Sequence, residues 1–332
     1  ADAFVRKARW RTNLSVTTGL RVSGIIMHGP QATGVQTSNG PIRAGHVVLA
    51  AGSIGTPHLM LLSGIGPADQ LRDHGLAVSA DLPGVGANLH DHLEAKVKFR
   101  MTEPLSLWSH ARFPINLLTG AQWMLTGQGV GRQQGLEAGA FLRLLSDHGP
   151  PDSQLHFINA LSFDGATAAD RGHGFAIDTT QVLPRCRGTL TLASSDPDTP
   201  PLIDPNYLAE EADRVAMREG LKLLRDLCRQ PALAKLCGEE LRPGPDVQTD
   251  EDLDAVIRAT ADSIYHPVGT ARMGPATDPL TVIDPKTMAV HGISGLSVAD
   301  ASVVPRIPSG NTNAPTIMIG SRGGDLLAAV LG

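Results

Sequence analysis

The eight residues His46-Val-Val-Leu-Ala-Ala-Gly-Ser53 constrain the fold most. An uninterrupted apolar run of this length, entered and left through small or polar residues, predicts a strand buried on both faces, as in a parallel or mixed sheet. The Ala-Ala-Gly-Ser that follows lets another group approach the backbone closely. A helix is expected next, beginning near Thr56-Pro57, because threonine caps a helix N-terminus and proline is tolerated in its first turn. Upstream, residues 13–49 read as short strands around Val16, Val22 and Ile25-Ile26. Ser38-Asn39-Gly40 marks a hairpin. Downstream, 93–101 and 137–144 read as strands flanking an amphipathic, glycine-punctuated stretch, 103–136. Residues 154–161 and 188–195 alternate as half-buried strands do. The clearest helix is 210–230, with Val215, Met217, Leu221, Leu224 and Leu227 near helical spacing. Another spans 250–262 and opens on acids, which suit a helix N-terminus. A last helix is expected from Pro315. The fold class is therefore α/β with added antiparallel sheet.

Charge and cysteine content narrow the function. The chain has 332 residues and a net charge of −5, so it carries no footprint for nucleic acid or for a polybasic membrane patch. No run approaches the roughly 18 apolar residues of a membrane span. Its three cysteines, Cys186, Cys228 and Cys237, form no CxxC pair. That argues against a disulfide framework or a zinc site and for a reducing, cytoplasmic setting, with peripheral membrane association left open.

Three glycine-rich stretches carry the chemistry: Gly52-Ser-Ile-Gly-Thr-Pro-His-Leu-Met-Leu-Leu-Ser-Gly-Ile-Gly66, His266-Pro-Val-Gly-Thr-Ala-Arg-Met-Gly274, and residues 298–320, which end in Gly310-Asn-Thr-Asn-Ala-Pro-Thr-Ile-Met-Ile-Gly320. In this order they resemble the glucose-methanol-choline (GMC) family of flavin oxidoreductases. The first matches that family's second signature at Gly52, Ser53, Thr56, Pro57, Leu59, Met60, Ser63, Gly64, Ile65 and Gly66. The loop Asn88-Leu-His-Asp-His92 resembles the family's Asn-Leu-Gln-Asp-His, with His90 in place of glutamine. The choline-dehydrogenase-like branch is the nearest in pattern. The resemblance implies FAD as cofactor and a small-molecule alcohol as substrate. Quinone or oxygen is the implied electron acceptor, with no metal, no nucleic acid and room for a homo-oligomer. It implies that a primary alcohol is oxidised to an aldehyde by hydride transfer to the flavin.

A lone histidine before proline is ordinarily a turn residue. In this company His266 is the expected base, since imidazole suits removal of a hydroxyl proton near neutral pH. Pro267 restricts its backbone, and the small residues after it are expected to leave room for the flavin. The resemblance places the partner amide at Asn313, by spacing to Ala-Pro-Thr-Ile-Met-Ile-Gly, and leaves Asn311 as a turn residue. It places Val22, Ala51, Gly52, Asp300, Ala301, Asn313, Pro315 and Thr316 at the cofactor, with a helix N-cap as the plainer role for Asp300. Glu137 is a candidate contact for a cationic substrate, or simply a rim carboxylate. The alternating His90-Asp91-His92 is read as family loop, not metal chelate. Cys186, between Arg185 and Arg187, is expected to be structural.

The resemblance divides the chain into 1–92 and 266–332, belonging to an FAD domain, and 93–265, a substrate domain. The phosphate-cradling GxGxxG, with an acid about 20 positions later, does not occur. Gly84-Val-Gly-Ala-Asn-Leu89 sits in a proline-led loop and lacks the third glycine. The expectation is thus a carboxy-terminal part of a GMC enzyme lacking the first βαβ unit, inactive by itself. The alternatives are a non-catalytic remnant or one half of a split flavoenzyme. Which alcohol is used, and oxidase versus dehydrogenase, stay open.

Overall fold

The computed structural model describes residues 3–133, 135–161 and 171–331. The chain first forms a three-stranded antiparallel sheet from β1 (Val22–His28), β2 (Gln31–Thr37) and β3 (Gly40–Arg43). The Ser38-Asn39 hairpin is as expected, with Thr37 opposite Gly40. β4 (Val47–Leu49) then runs into helix α1 (Gly52–Leu62). β4 is shorter and less covered than its sequence suggests. Val47 and Leu49 are buried, but Val48 is 44% exposed, because no described element packs over its outer face.

Helix α1 begins at Gly52, not at Thr56-Pro57, so Pro57 lies inside it. Proline has no N–H for the carbonyl four residues back, which leaves the Ser53 oxygen without its helical donor. The Thr270 hydroxyl supplies one at 2.7 Å. At the other end Ser63 Oγ donates to Leu59 O at 2.6 Å and accepts from Ile25 N at 2.8 Å, pinning the helix to β1.

The second unit is a six-stranded antiparallel sheet. Its strands are β5 (Leu93–Met101), β6 (Leu136–Leu142), β7 (Ser153–Ile158), β8 (Gly174–Gln181), β9 (Cys237–Arg242) and β10 (Asp262–Ser263). The order is β9-β5-β8-β7-β6, with β10 on the other end of β5. Between β5 and β6 runs α2 (Ile115–Thr126), an uncharged helix with Leu117, Leu118, Met124 and Leu125 exposed. Helix α3 (Glu211–Arg229) packs on β8 through Met217, Leu221 and Leu224. Val215 and Leu227 only half-bury. Closest approach falls at Gly220, where a Cβ would stand 2.3 Å from Thr179 Oγ1 and 2.7 Å from its Cγ2. Helix α4 (Asp250–Thr260) carries a capping box that the sequence reading missed: Asp252 N donates to Thr249 Oγ1 and Thr249 N to the Asp252 carboxylate.

The chain then returns to the first unit. β11 (Leu296–Val298) pairs parallel with β4, and α5 (Asn313–Leu331) closes the chain two residues earlier than the expected start at Pro315. Two separate clusters of buried side chains result. One joins β1, β4 and α1 with Leu190, Leu192 and residues 268–319; the other lies between the large sheet and α3 and α4.

Gly220→Ala places a methyl inside the contact radius of a β-branched side chain in a packed strand. Overpacking of this kind lowers stability by about 1–3 kcal/mol, read as a shifted urea midpoint with an unchanged slope.

Candidate active site

The site grows from the seam where the chain passes from one unit to the other. Asp91, buried just before β5, accepts the backbone N–H of His92 at 2.8 Å and of His266 at 2.9 Å on one oxygen. The hydroxyls of Tyr207 and Ser263 donate to the other. Four donors from three separate stretches converge on one carboxylate. Tyr265, just before the histidine, is in the left-handed region at φ +62° and donates its N–H to Ser263 Oγ at 2.8 Å. His90 and Val268 exchange backbone hydrogen bonds at 3.0 and 2.9 Å. Gly269 has φ +93°, and a Cβ there would stand 2.7 Å from Asn88 O and 2.9 Å from His90 Nδ1. The 88–90 loop therefore depends on the smallness of Gly269.

The His266 ring lies between two groups. Its Nδ1 is 3.0 Å from His92 Nδ1, the rings edge to face. Its Nε2 is 3.4 Å from the amide nitrogen of Asn311. Burial lowers the His266 pKa, opposed by the nearby Asp91 charge and aided by His156. Burial, and then His266, push His92 down to about 4.

The structure brings Asn311, not Asn313, to the base. Asn313 is the exposed first residue of α5. Counting back from the helix does not reveal which of two asparagines on a turn faces inward. The deciding contact comes from the sheet. Gln154 Nε2 donates to Asn311 Oδ1 at 3.1 Å and lies 2.9 Å from His156 Nε2, while His156 Nδ1 lies 2.8 Å from Asp178 Oδ1. With its oxygen held by Gln154, Asn311 presents its NH2 to His266. Asp91, His92, Gln154, His156 and Asp178 escaped the sequence reading as members of the site. Only the Asp-His of the 88–92 loop carried any signal for them.

Asp178 is 1% exposed and raises the His156 pKa through their hydrogen bond. Glu94, also buried and paired with Lys96, is raised by desolvation first and by the Asp178 charge second. Glu137 is exposed on β6, where the pairing with β7 shifts register.

The proposed cofactor residues fall in several places. Asp300 caps the short turn Ala301–Val303 by accepting Ser302 N at 2.8 Å. Its other oxygen accepts Gly52 N at 2.9 Å and the Thr56 hydroxyl at 2.6 Å. It thus ties that turn to the start of α1, after Ala51. The Ala301 oxygen accepts Gly269 N at 3.1 Å. Gly52, Asp300, Ala301 and the His266 loop are therefore contiguous. Pro315 and Thr316 sit half-buried in the first turn of α5, the Thr316 hydroxyl donating to Thr312 O at 2.7 Å. Val22 is the exposed first residue of β1, paired opposite Thr37. Ser53 Oγ and both His90 ring nitrogens are buried without hydrogen-bond partners. The Cys186 thiol is pushed up to about 12 by burial and then by Asp213, so its arginine neighbours do not activate it. Among the described residues no group of three His, Cys, Asp or Glu is placed to hold a metal, and no helix is long and apolar enough to cross a membrane.

The chain is similar to known proteins in sequence and in fold. Residues 1–94 and 184–320 match the N- and C-terminal models of GMC oxidoreductases. An oxygen-dependent choline dehydrogenase of Rhizobium johnstonii is 40% identical over 98% of this chain and 60% of its own length. One of Photobacterium profundum is 39% identical over 100% of this chain and 59% of its own. The chain thus spans about 60% of the length of the curated relatives it matches. Among solved structures, Aspergillus oryzae formate oxidase, studied for modification of its FAD, superimposes with TM-score 0.89 at 26% identity, covering 97% of this chain and 62% of that one. Pyridoxine 4-oxidase from Mesorbium loti gives 0.82 at 27% identity, covering 96% and 59%.

Asp91→Ala strands four donors, one buried and three part-buried, and is expected to lower stability by roughly 3 kcal/mol, measured by chemical denaturation. A second expectation concerns pH. A histidine raised in the folded state contributes stability below about pH 6.5, its unfolded value, and loses it as pH rises through the folded value. Asp178→Asn removes that contribution. The wild type should lose stability on the alkaline side of pH 6.5 and the variant should not, as followed by melting temperature across pH.

Proposed function

The chain belongs to the GMC oxidoreductase family, and from that premise we propose that its protein oxidises a primary alcohol to the aldehyde with FAD. The observation that carries this reading is the pair His266 Nε2 and Asn311 Nδ2, 3.4 Å apart and facing each other. Burial lowers the His266 pKa and so favours the neutral ring, the form able to take a proton. An alcohol oxygen seated against both groups gives its proton to Nε2 while the Asn311 NH2 donates to it. That hydrogen bond strengthens as negative charge builds on the oxygen. FAD, when bound, supplies the acceptor for the hydride that leaves the alcohol carbon.

The residues present fit such a cofactor. Buried Ser53 Oγ and the two His90 nitrogens lack partners and offer hydrogen bonds to a polar ligand. They belong to the stretches that carry Ala51, Gly52, Asp300 and Ala301 and the loop beside them. The first turn of α5, at Pro315 and Thr316, offers N–H groups and the positive end of a helix dipole. We assign the first core to the cofactor half and the second, with its large sheet, to the substrate half.

A quaternary-ammonium alcohol is the first substrate to try. The curated relatives are choline dehydrogenases, and the large sheet carries two buried carboxyl groups, Asp178 bonded to His156 and Glu94 within reach of the Asp178 charge. Oxygen is the first acceptor to try, as in those relatives' names.

The test is a visible spectrum of the protein incubated with FAD and desalted, before and after anaerobic choline or a simple primary alcohol. Retained flavin that bleaches supports the reading; retained flavin that no alcohol bleaches overturns it. If the flavin washes out of this chain, the same assay is run on the protein at the length of its relatives. His266→Ala should slow bleaching by about 10²–10⁴-fold and Asn311→Ala by about 10²-fold. Asn313→Ala should stay within about 5-fold, since Asn313 is exposed at the start of α5 and the amide beside Nε2 is that of Asn311.

A further inference from the structure

We propose that His92 is a positioning residue that fixes the tautomer of His266, so that the free lone pair of the base always stands at Nε2. The inference deepens the alcohol-oxidation reading and rests on it for the role of His266, but its premises are the hydrogen bonds and the burial of His92.

Two backbone oxygens face His92, those of Val182 and Pro308, and His92 Nε2 lies 3.2 Å from that of Val182. A carbonyl oxygen only accepts, so that nitrogen carries a hydrogen. Buried His92 is held neutral, with its pKa near 4, and a neutral imidazole has one N–H. Its Nδ1 is then a lone pair. The atom facing it at 3.0 Å is His266 Nδ1, and two lone pairs do not face each other at that distance. His266 Nδ1 therefore carries the hydrogen and donates it to His92. The remaining nitrogen, Nε2, is left bare toward Asn311, whose NH2 points at it because Gln154 holds the Asn311 oxygen. Every donor in the line meets an acceptor. The opposite tautomer would set two lone pairs together at one end and two N–H groups together at the other.

The same line favours the product of proton transfer. Once Nε2 is protonated, the Nδ1–H of the imidazolium still has a neutral acceptor in His92. Among the described residues, the titratable groups around the two rings include Asp91, which holds both backbones, His156, across Gln154, and His90, which feels the His92 charge. The neutral ring of His92 thus does for this base what a carboxylate does in a hydrolase triad, without placing a buried charge behind it.

Two substitutions separate this role from simple packing. His92→Phe keeps the bulk and removes both nitrogens. His92→Asn also loses the Val182 bond but keeps an acceptor oxygen near the place of Nδ1. In the FAD-loaded protein, the anaerobic rate of flavin reduction should fall about 10²-fold in His92→Phe, the scale of a misdirected base, with KM for the alcohol within about 2-fold. His92→Asn should recover most of that loss. Long-range proton–nitrogen NMR of histidine-labelled protein reads the tautomer without turnover. His266 should be protonated at Nδ1 in wild type and in His92→Asn, and mixed in His92→Phe. Protonation at Nε2 in the wild type overturns the proposal. So does a His92→Phe variant with the wild-type tautomer and rate, or a His92→Asn variant as slow as His92→Phe. If no alcohol is oxidised at all, the functional reading fails, and the NMR still decides the tautomer.

Discussion

The carboxylate of Asp91 is the constraint on which the rest of the site depends. It is buried, and a buried carboxylate is tolerated only when its lone pairs are filled. The donors that fill them are two backbone amides and two hydroxyls brought from residues 92, 207, 263 and 266. Satisfying one charge therefore fixes where the strand leaves the first unit, where the loop returns to it, and the backbone of the base. Side-chain orientation is then settled separately, by His92 on one edge of the ring and Asn311 on the other.

A similar substitution of partners explains helix α1. Its proline should break it, yet the helix runs through because Thr270, a neighbour of the His266 loop, replaces the missing donor. Asp300 then ties the helix start to the turn before α5. The frame of the expected cofactor region and the placement of the base share the same short loop, 266–271. Their geometries are not independent.

Much of this was legible in the sequence, and what was not has physical reasons. The hairpin at Ser38-Asn39-Gly40, strand 93–101 and helix 211–229 follow from local chemistry and periodicity, which a single chain displays. His266 was legible because a motif surrounds it. The start of α1 was misplaced because the rule that proline belongs in the first turn holds only while no outside donor is available. Burial of β4 was overestimated because apolar content does not say whether a neighbour is present. Asn311 was passed over for Asn313 because two asparagines on one turn differ only in what faces them, and Gln154 is 157 residues away in sequence. His92 carried no signal beyond its loop, since its meaning lies in the Val182 and Pro308 carbonyls and the one ring that the fold brings to it.

The hydrogen bond from Gln154 to Asn311 has a mechanical consequence. Gln154 rides on β7 of the large sheet, while Asn311 belongs to the stretch between Ile307 and Ile319 that builds the first core. The bond between them therefore spans both units, and the amide that faces the imidazole is held jointly by the two.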